Sequence, residues 1–235
     1  MTDTALKRNQ MVSILLELRH YVRTLAIAMV AGTVGIYFLT PAIMQMLQQH
    51  LGQQLAFFTV AEPFLAHVKL AFAVTLFVMM PGIIYCLWCG LVKPFKLTPT
   101  SLAWFVFGTC VLFYGGASFC YLVTLPFGVD FLLGYQSVQL QPVISIGKFV
   151  VFVSVFILAF GFIFELPIFM VFIGKVGVMN RSTFERNRRY ALLIISIVAA
   201  LLTPTPDVVN MLLMGGPLYL LYELGIFILK LLRIP

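Results

Sequence analysis

This chain carries only eight acids: Asp3, Glu17, Glu62, Asp130, Glu165, Glu185, Asp207 and Glu223. Glu165 stands in Phe164-Glu165-Leu166-Pro167, inside an otherwise apolar run that reaches Gly174. At ~1.5 Å per residue it lies ~14 Å from that end of a helix. A carboxylate at such a depth in lipid is costly unless paired, wet or protonated. Pro167 frees a carbonyl one turn back and should kink the helix there. Two roles fit: a neutral, hydrogen-bonded Glu closing a kinked helix, or a group that meets another polypeptide or lines a wet pocket. Glu17 sits in Leu15-Leu16-Glu17-Leu18-Arg19-His20-Tyr21-Val22-Arg23. Leu15, Leu18 and Val22 share one helical face, while Arg19 and Arg23 suit anionic headgroups. An acid at such a basic interface can accept a guanidinium bidentately, or pair with an Arg or His of its own helix. Glu223, in Leu221-Tyr222-Glu223-Leu224, lies two turns from Lys230 on one face, so that Tyr222 and Lys230 read as interfacial anchors or a partner contact. Lys69 follows Glu62-Pro63-Phe64 and can snorkel outward or pair with Glu62.

Other chemistries lack their residues. His20, His50 and His67 do not cluster, and no metal site is expected. Neither a phosphate-cradling glycine loop nor a GxSxG elbow occurs, and no cofactor or enzymatic activity is expected. Cys86-Leu87-Trp88-Cys89 has redox spacing, but it lies in an apolar stretch with no second pair. Cys86, Cys89, Cys110 and Cys120 therefore read as small buried hydrophobes. Gly115-Gly116 and Gly215-Gly216 are expected to let helices approach closely.

The elements that position these residues are membrane helices. Of the 235 residues, 62% are hydrophobic and 10% charged, and mean hydropathy is +1.06. Such a chain cannot cover a water-facing exterior. Its net charge of +7 marks a membrane side and not a nucleic-acid partner. Six spans are predicted, at about 22–40, 64–91, 102–127, 149–174, 190–202 and 208–229, forming one membrane domain over 1–235. The first span is followed by no small-residue cleavage site and is expected to stay inserted. The fifth, at ~20 Å, is too short for an unperturbed bilayer and forms a shallow hairpin with the sixth across Thr203-Pro204-Thr205-Pro206-Asp207. Thirteen of the fifteen Lys and Arg residues fall in the N-terminal segment, the 2–3 and 4–5 loops and the C-terminus. Both termini are thus expected in the cytoplasm, with Lys69 and Lys148 the two exceptions. Pro41–Leu51 reads as an amphipathic cap on the far side. Ser182-x-x-Glu185 has the capping-box pattern, which predicts a helix start at Thr183.

In order along the chain, these landmarks resemble the TatC family, the multispanning core of the twin-arginine protein translocase. The resembling pieces are Leu16-Glu17-Leu18-Arg19, Glu62-Pro63-Phe64 with Lys69-Leu70, and Pro81, Tyr85 and Trp88. Phe113-Tyr114-Gly115, Pro126, Phe164-Glu165-Leu166-Pro167 and Arg188-Arg189-Tyr190 follow. Thr203-Pro204, Pro206-Asp207, Pro217 and Leu221-Tyr222-Glu223 complete the set. The resemblance implies an all-α, glove-like concave bundle in the bacterial inner membrane. It implies binding of twin-arginine signal peptides of folded cargo at Glu17, Leu18 and Arg19. Hetero-oligomeric assembly with single-span subunits of the TatA/TatB type, and export driven by the proton-motive force, are implied as well. Glu165, Pro167 and Lys69 would form an intramembrane polar pocket. Asp207, Pro217, Tyr222 and Glu223 would dock partner helices, and Glu62, Pro63 and Phe64 would belong to a far-side cap. One departure stands out. The 2–3 loop reads Lys93-Pro94-Phe95-Lys96-Leu97-Thr98-Pro99-Thr100-Ser101, and Thr100 falls where the family carries a second acid. A proton-coupled small-solute transporter is the alternative function, although the broken helix at Pro167 has no counterpart in the other half.

Overall fold

The computed structural model describes residues 23–52, 55–92, 99–133, 144–202 and 208–233. Glu17, Leu18, Arg19 and Asp207 lie outside these ranges. In chain order the helices are α1 (Arg23–Tyr37), α2 (Thr40–Leu51), α3 (Glu62–Val92) and α4 (Pro99–Phe119). A π-helical turn (Cys120–Thr124) leads into α5 (Leu125–Leu133). Then come α6 (Ile146–Phe164), α7 (Leu166–Val176), α8 (Arg181–Arg186), α9 (Arg188–Leu202) and α10 (Val208–Leu231). Two short strands, β1 (Leu55–Ala56) and β2 (Ile144–Ser145), pair in parallel and tie the 1–2 loop to the 3–4 loop.

The fold is all-α and polytopic. Among the described residues four stretches are long and apolar enough to cross a bilayer: Glu62–Gly90, Thr100–Val129, Ile146–Val176 and Met214–Leu231. A fifth exists if α1 and α2, bent by 71°, form one broken span. α9, with 15 residues, reaches only ~22 Å. The expected short fifth segment is thus present.

Prolines set the breaks. α1 ends at Tyr37, three residues before the predicted end of the first span, because Pro41 has no N–H to give the Tyr37 carbonyl. The Thr40 hydroxyl donates to that carbonyl instead, at 2.7 Å, and is fully buried. α2 then lies as the expected amphipathic cap, burying Met44, Leu47 and Leu51. The π-helical turn solves the same problem before Pro126. Leu125 N–H bonds to Cys120 O, and in that register Pro126 leaves Tyr121 O without a backbone donor. His50 Nε2, from α2, lies 3.0 Å from Tyr121 O and its ring stacks on Tyr121 at 4.2 Å.

Lipid is as apolar as leucine, so close packing and not water exclusion must hold these helices together. α3, α4 and α6 form the central trio, α7 carries α10, and α9 packs on α10 and α8. Small residues allow the closest approaches. A Cβ on Gly116 would sit 2.6 Å from Phe164 Cγ and 2.8 Å from Phe160 O, and one on Gly161 would sit 2.6 Å from Phe113. Gly225 of α10 lies against Met170 and Pro167 in the same way. The expected close approach at Gly115-Gly116 belongs to Gly116 alone, for Gly115 faces open space. Gly215-Gly216 is not a tight contact, since its nearest neighbour is Ala199 Cβ at 3.9 Å from a Cβ placed on Gly215. Trp88 is fully buried, stacked on Phe105 at 4.6 Å and edge-on to Phe172 at 5.1 Å.

The 4–5 connection departs from the sequence expectation. The helix start is not at Thr183. Asn180 precedes α8, with an extended backbone and no side-chain cap bond. Glu185 does not reach back to close a capping box. It pairs instead with Arg181 one turn earlier, at 3.0 Å. Asn187 then interrupts the chain before α9 begins. A local i,i+4 ion pair has taken the carboxylate that the box required.

Candidate functional site

Among the described residues, three places built around a glutamate stand out in the apolar bundle. The deepest is Glu165. Pro167 cannot continue α6, so Glu165 becomes the junction residue, its N–H bonded to Phe162 O at 3.1 Å and its carbonyl accepting from Phe169 N–H at 3.1 Å. The break fixes the direction of its side chain. Only 3% of the residue is exposed, and it faces Thr109 and Cys110 of α4. The Thr109 oxygen accepts from Trp88 Nε1 at 2.8 Å. Thr109 is close enough to influence the Glu165 carboxyl. Yet neither carboxyl oxygen meets a partner with hydrogen-bond geometry among the described residues. A buried acid left in this state costs about 1–3 kcal/mol or more.

The expected pocket of Glu165, Pro167 and Lys69 does not form as one site. Glu165 and Pro167 are buried where α7 meets α4 and α10, whereas Lys69 is exposed in the second turn of α3. An apolar cavity of about 370 Å³ is lined from α2, α3, α4, the π-helical turn and α6, and Glu165 is not on its wall. Sequence reasoning located the acid by its depth. The facing Thr109 comes from α4 and Trp88, which bonds Thr109, from α3, so neither left a local signal.

The second place clamps the short hairpin. Arg188 Nη2, in the first turn of α9, meets Glu223 Oε2 of α10 at 2.9 Å. Tyr219 OH donates to the other carboxylate oxygen at 3.0 Å. Glu223 therefore turns to α9 and not along its own helix to Lys230. Tyr222, expected as an interfacial or docking residue, is buried, and its hydroxyl donates to Phe184 O at 2.8 Å. It locks α10 onto α8. Pro217 lies within α10 and is half-buried. The outer face of α9 remains apolar and open, with Leu193, Ile197 and Leu201 exposed.

The third place is Glu62. Its Oε2 accepts from Phe58 N–H at 2.8 Å. Its Oε1 accepts from the Ser145 hydroxyl and from Gly147 N–H at 3.1 Å. The carboxylate thus joins the start of α3 to the start of α6, beside the β1–β2 pair. No Glu62–Lys69 ion pair exists among the described residues. Two turns of helix (~10 Å) separate them, and the nearer donors have occupied the carboxylate. Pro63 and Phe64 complete this corner. Pro63 O lies 2.7 Å from His67 Nδ1, and Phe64 meets Tyr37 edge-on at 6.1 Å.

At the opposite end, Thr100 is exposed in the first turn of α4. Beside it, Lys175 Nζ donates to Ser101 Oγ at 2.8 Å and lies 5.6 Å from the Phe105 ring centre. Among the described residues no group of three or more His, Cys, Asp or Glu could hold a metal ion.

Residues 13–217 match the family model described as Sec-independent protein translocase protein (TatC). The chain is 35% identical over 187 residues to the Sec-independent protein translocase protein TatC of Koribacter versatilis, covering 79% of this chain and 69% of that one. It is 31% identical over 220 residues to that of Carboxydothermus hydrogenoformans, covering 92% and 90%. A crystal structure of the twin-arginine translocase receptor TatC in DDM matches with a TM-score of 0.78 and 28% identity, covering 92% of this chain and 98% of that one.

Proposed function

This chain belongs to the TatC family of Sec-independent protein translocase proteins, and on that premise we propose that it binds twin-arginine signal peptides of folded cargo and recruits single-span TatA/TatB-type subunits. It is a multi-pass component of the bacterial membrane's Sec-independent protein transport machinery, a family of translocase subunits and not of enzymes. In this reading the single domain crosses the membrane six times with both termini cytoplasmic, and the proton-motive force drives export.

The observation that carries the reading is the Glu165 carboxyl, buried at mid-span with both oxygens unmatched among the described residues. Intramembrane acids are retained for function when nothing in the fold satisfies them. A polar group on an incoming single-span helix would supply the missing hydrogen bonds. The exposed apolar face of α9 leaves a surface that a second helix can approach. The outer face of α9, with Asp207 and Pro217 near it in sequence, is the proposed docking side. Tyr222 and Glu223 act there by holding the hairpin in place. Glu17, flanked by Leu18 and Arg19, is proposed to accept a signal-peptide guanidinium, because bidentate pairing favours Arg over Lys.

The test is export of a folded reporter in cells lacking their own TatC, with partner subunits supplied. A twin-arginine signal should be exported and a twin-lysine signal should not. Equal export of both, or none despite good expression, would contradict the reading. Glu17→Ala should lower signal-peptide crosslinking to this chain, and undiminished crosslinking would remove Glu17 from the site.

A further inference from the structure

Lys69 and Lys148 are the two cations that the charge asymmetry leaves on the far side, and they are 79 positions apart. The structure brings both to the wall of one groove of about 510 Å³ between α3 and α6. Leu65, Val151 and Phe152 form its apolar sides. The acid that shares the groove, Glu62, is already committed to Phe58, Ser145 and Gly147. Neither lysine ammonium has an ion-pair or hydrogen-bond partner among the described residues, and both side chains are exposed.

We infer that this groove binds the phosphodiester headgroup of an anionic phospholipid in the far leaflet. Both helices are membrane-spanning here, α3 from Glu62 and α6 from Ile146. The lysines stand near the ends of those spans, where headgroups lie, and their stems are long enough to snorkel to them. The exposed faces of Leu65 and Val151 continue the groove at acyl-chain depth. A soluble anion would use the two charges and leave these apolar walls uncovered, whereas a lipid uses both. Two unneutralised cations on the side that membrane proteins keep poor in Lys and Arg also call for a negative partner.

The test uses the full chain purified in detergent and examined by native mass spectrometry with phosphatidylglycerol or phosphatidylcholine of identical acyl chains. Phosphatidylglycerol should be retained preferentially. Lys69→Gln with Lys148→Gln should weaken its retention by about twenty-five-fold, taking about five-fold for each lysine near a membrane surface, and leave phosphatidylcholine retention unchanged. Lys69→Arg with Lys148→Arg keeps the charge and should keep the preference, a control that holds if the glutamine variant folds poorly. Soluble glycerol phosphate should not displace the lipid. Equal retention of the two lipids, undiminished binding by the glutamine variant, or displacement by glycerol phosphate at matched concentration would each overturn the assignment. So would a groove indifferent to lipid that instead binds an acidic partner segment.

Discussion

Arg188 and Glu223 meet at 2.9 Å although 35 residues separate them, and their contact joins the start of α9 to α10. Tyr219 steadies the same carboxylate, and Tyr222 one residue earlier reaches α8. The short hairpin is thus fastened at the end where α9 begins. Its far connection, at 203–207, lies outside the described residues. Both charged side chains are more than a third accessible or close to it (49% and 33%), so their worth to global stability is small, under about 1 kcal/mol. Arg188→Ala should barely move the unfolding temperature yet raise hydrogen exchange in the first turns of α9. Exchanging the charges, Arg188→Glu with Glu223→Arg, should restore protection. Unchanged α9 exchange in Arg188→Ala would show that the pair is not the fastening.

Neighbouring glycines give an internally controlled packing prediction. Gly116→Ala forces a methyl to within 2.8 Å of Phe160 O, a backbone atom that cannot step aside. It should destabilise the bundle by about 1–3 kcal/mol. Gly115→Ala points into open space and should be neutral or slightly stabilising, since alanine is the better helix former. Thermal unfolding of the two variants in the same detergent decides the matter, and equal effects would refute the α4–α6 contact.

His50 has a role that its isolation from other metal ligands did not suggest. It answers the Tyr121 carbonyl left over by Pro126. His50→Ala should cost about 1 kcal/mol. Pro126→Ala restores an N–H that can reach that carbonyl and should recover most of the loss in the double variant. Strict additivity of the two substitutions in unfolding experiments would rule out this coupling.

Thr100 stands exposed in the first turn of α4, where the resemblance expects an acid, and Lys175 is held by Ser101 beside it. On the proposed signal-binding reading, Thr100→Glu should tighten binding of a twin-arginine peptide several-fold and of a twin-lysine peptide less, because only guanidinium matches a carboxylate bidentately. Binding of both peptides to the variant and the parent, measured side by side, tests this. Unaltered affinity for the twin-arginine peptide would place Thr100 away from the peptide.

The four long apolar stretches, the amphipathic α2 and the short α9 were legible because each depends on hydropathy over many consecutive residues and on prolines, which act locally. Glu165 was legible as an anomaly for the same reason: one acid in an apolar run needs no partner to be noticed. Its surroundings were not, because Thr109 faces it from α4 and is itself bonded by Trp88 of α3. Lys69 was offered Glu62 as a same-helix partner, and Glu223 was read only by the face it shares with Lys230. In both cases a donor from a distant segment won, Ser145 with Gly147 for Glu62 and Arg188 for Glu223. The capping box at Ser182 failed through a nearer competitor, Arg181. The π-helical turn was signalled only by Pro126, whose presence says that a carbonyl is freed but not how the helix absorbs it.

The central claim is that the fold tolerates Glu165 for the sake of a helix that is not its own. Glu165→Leu, close in volume and without polar atoms, separates the two costs. Unfolding of the isolated chain and co-purification of the single-span subunits from membranes are measured on the same variant. The account predicts a chain more stable by about 1–3 kcal/mol that no longer retains its partners. A variant that retains them as well as the parent does would contradict it.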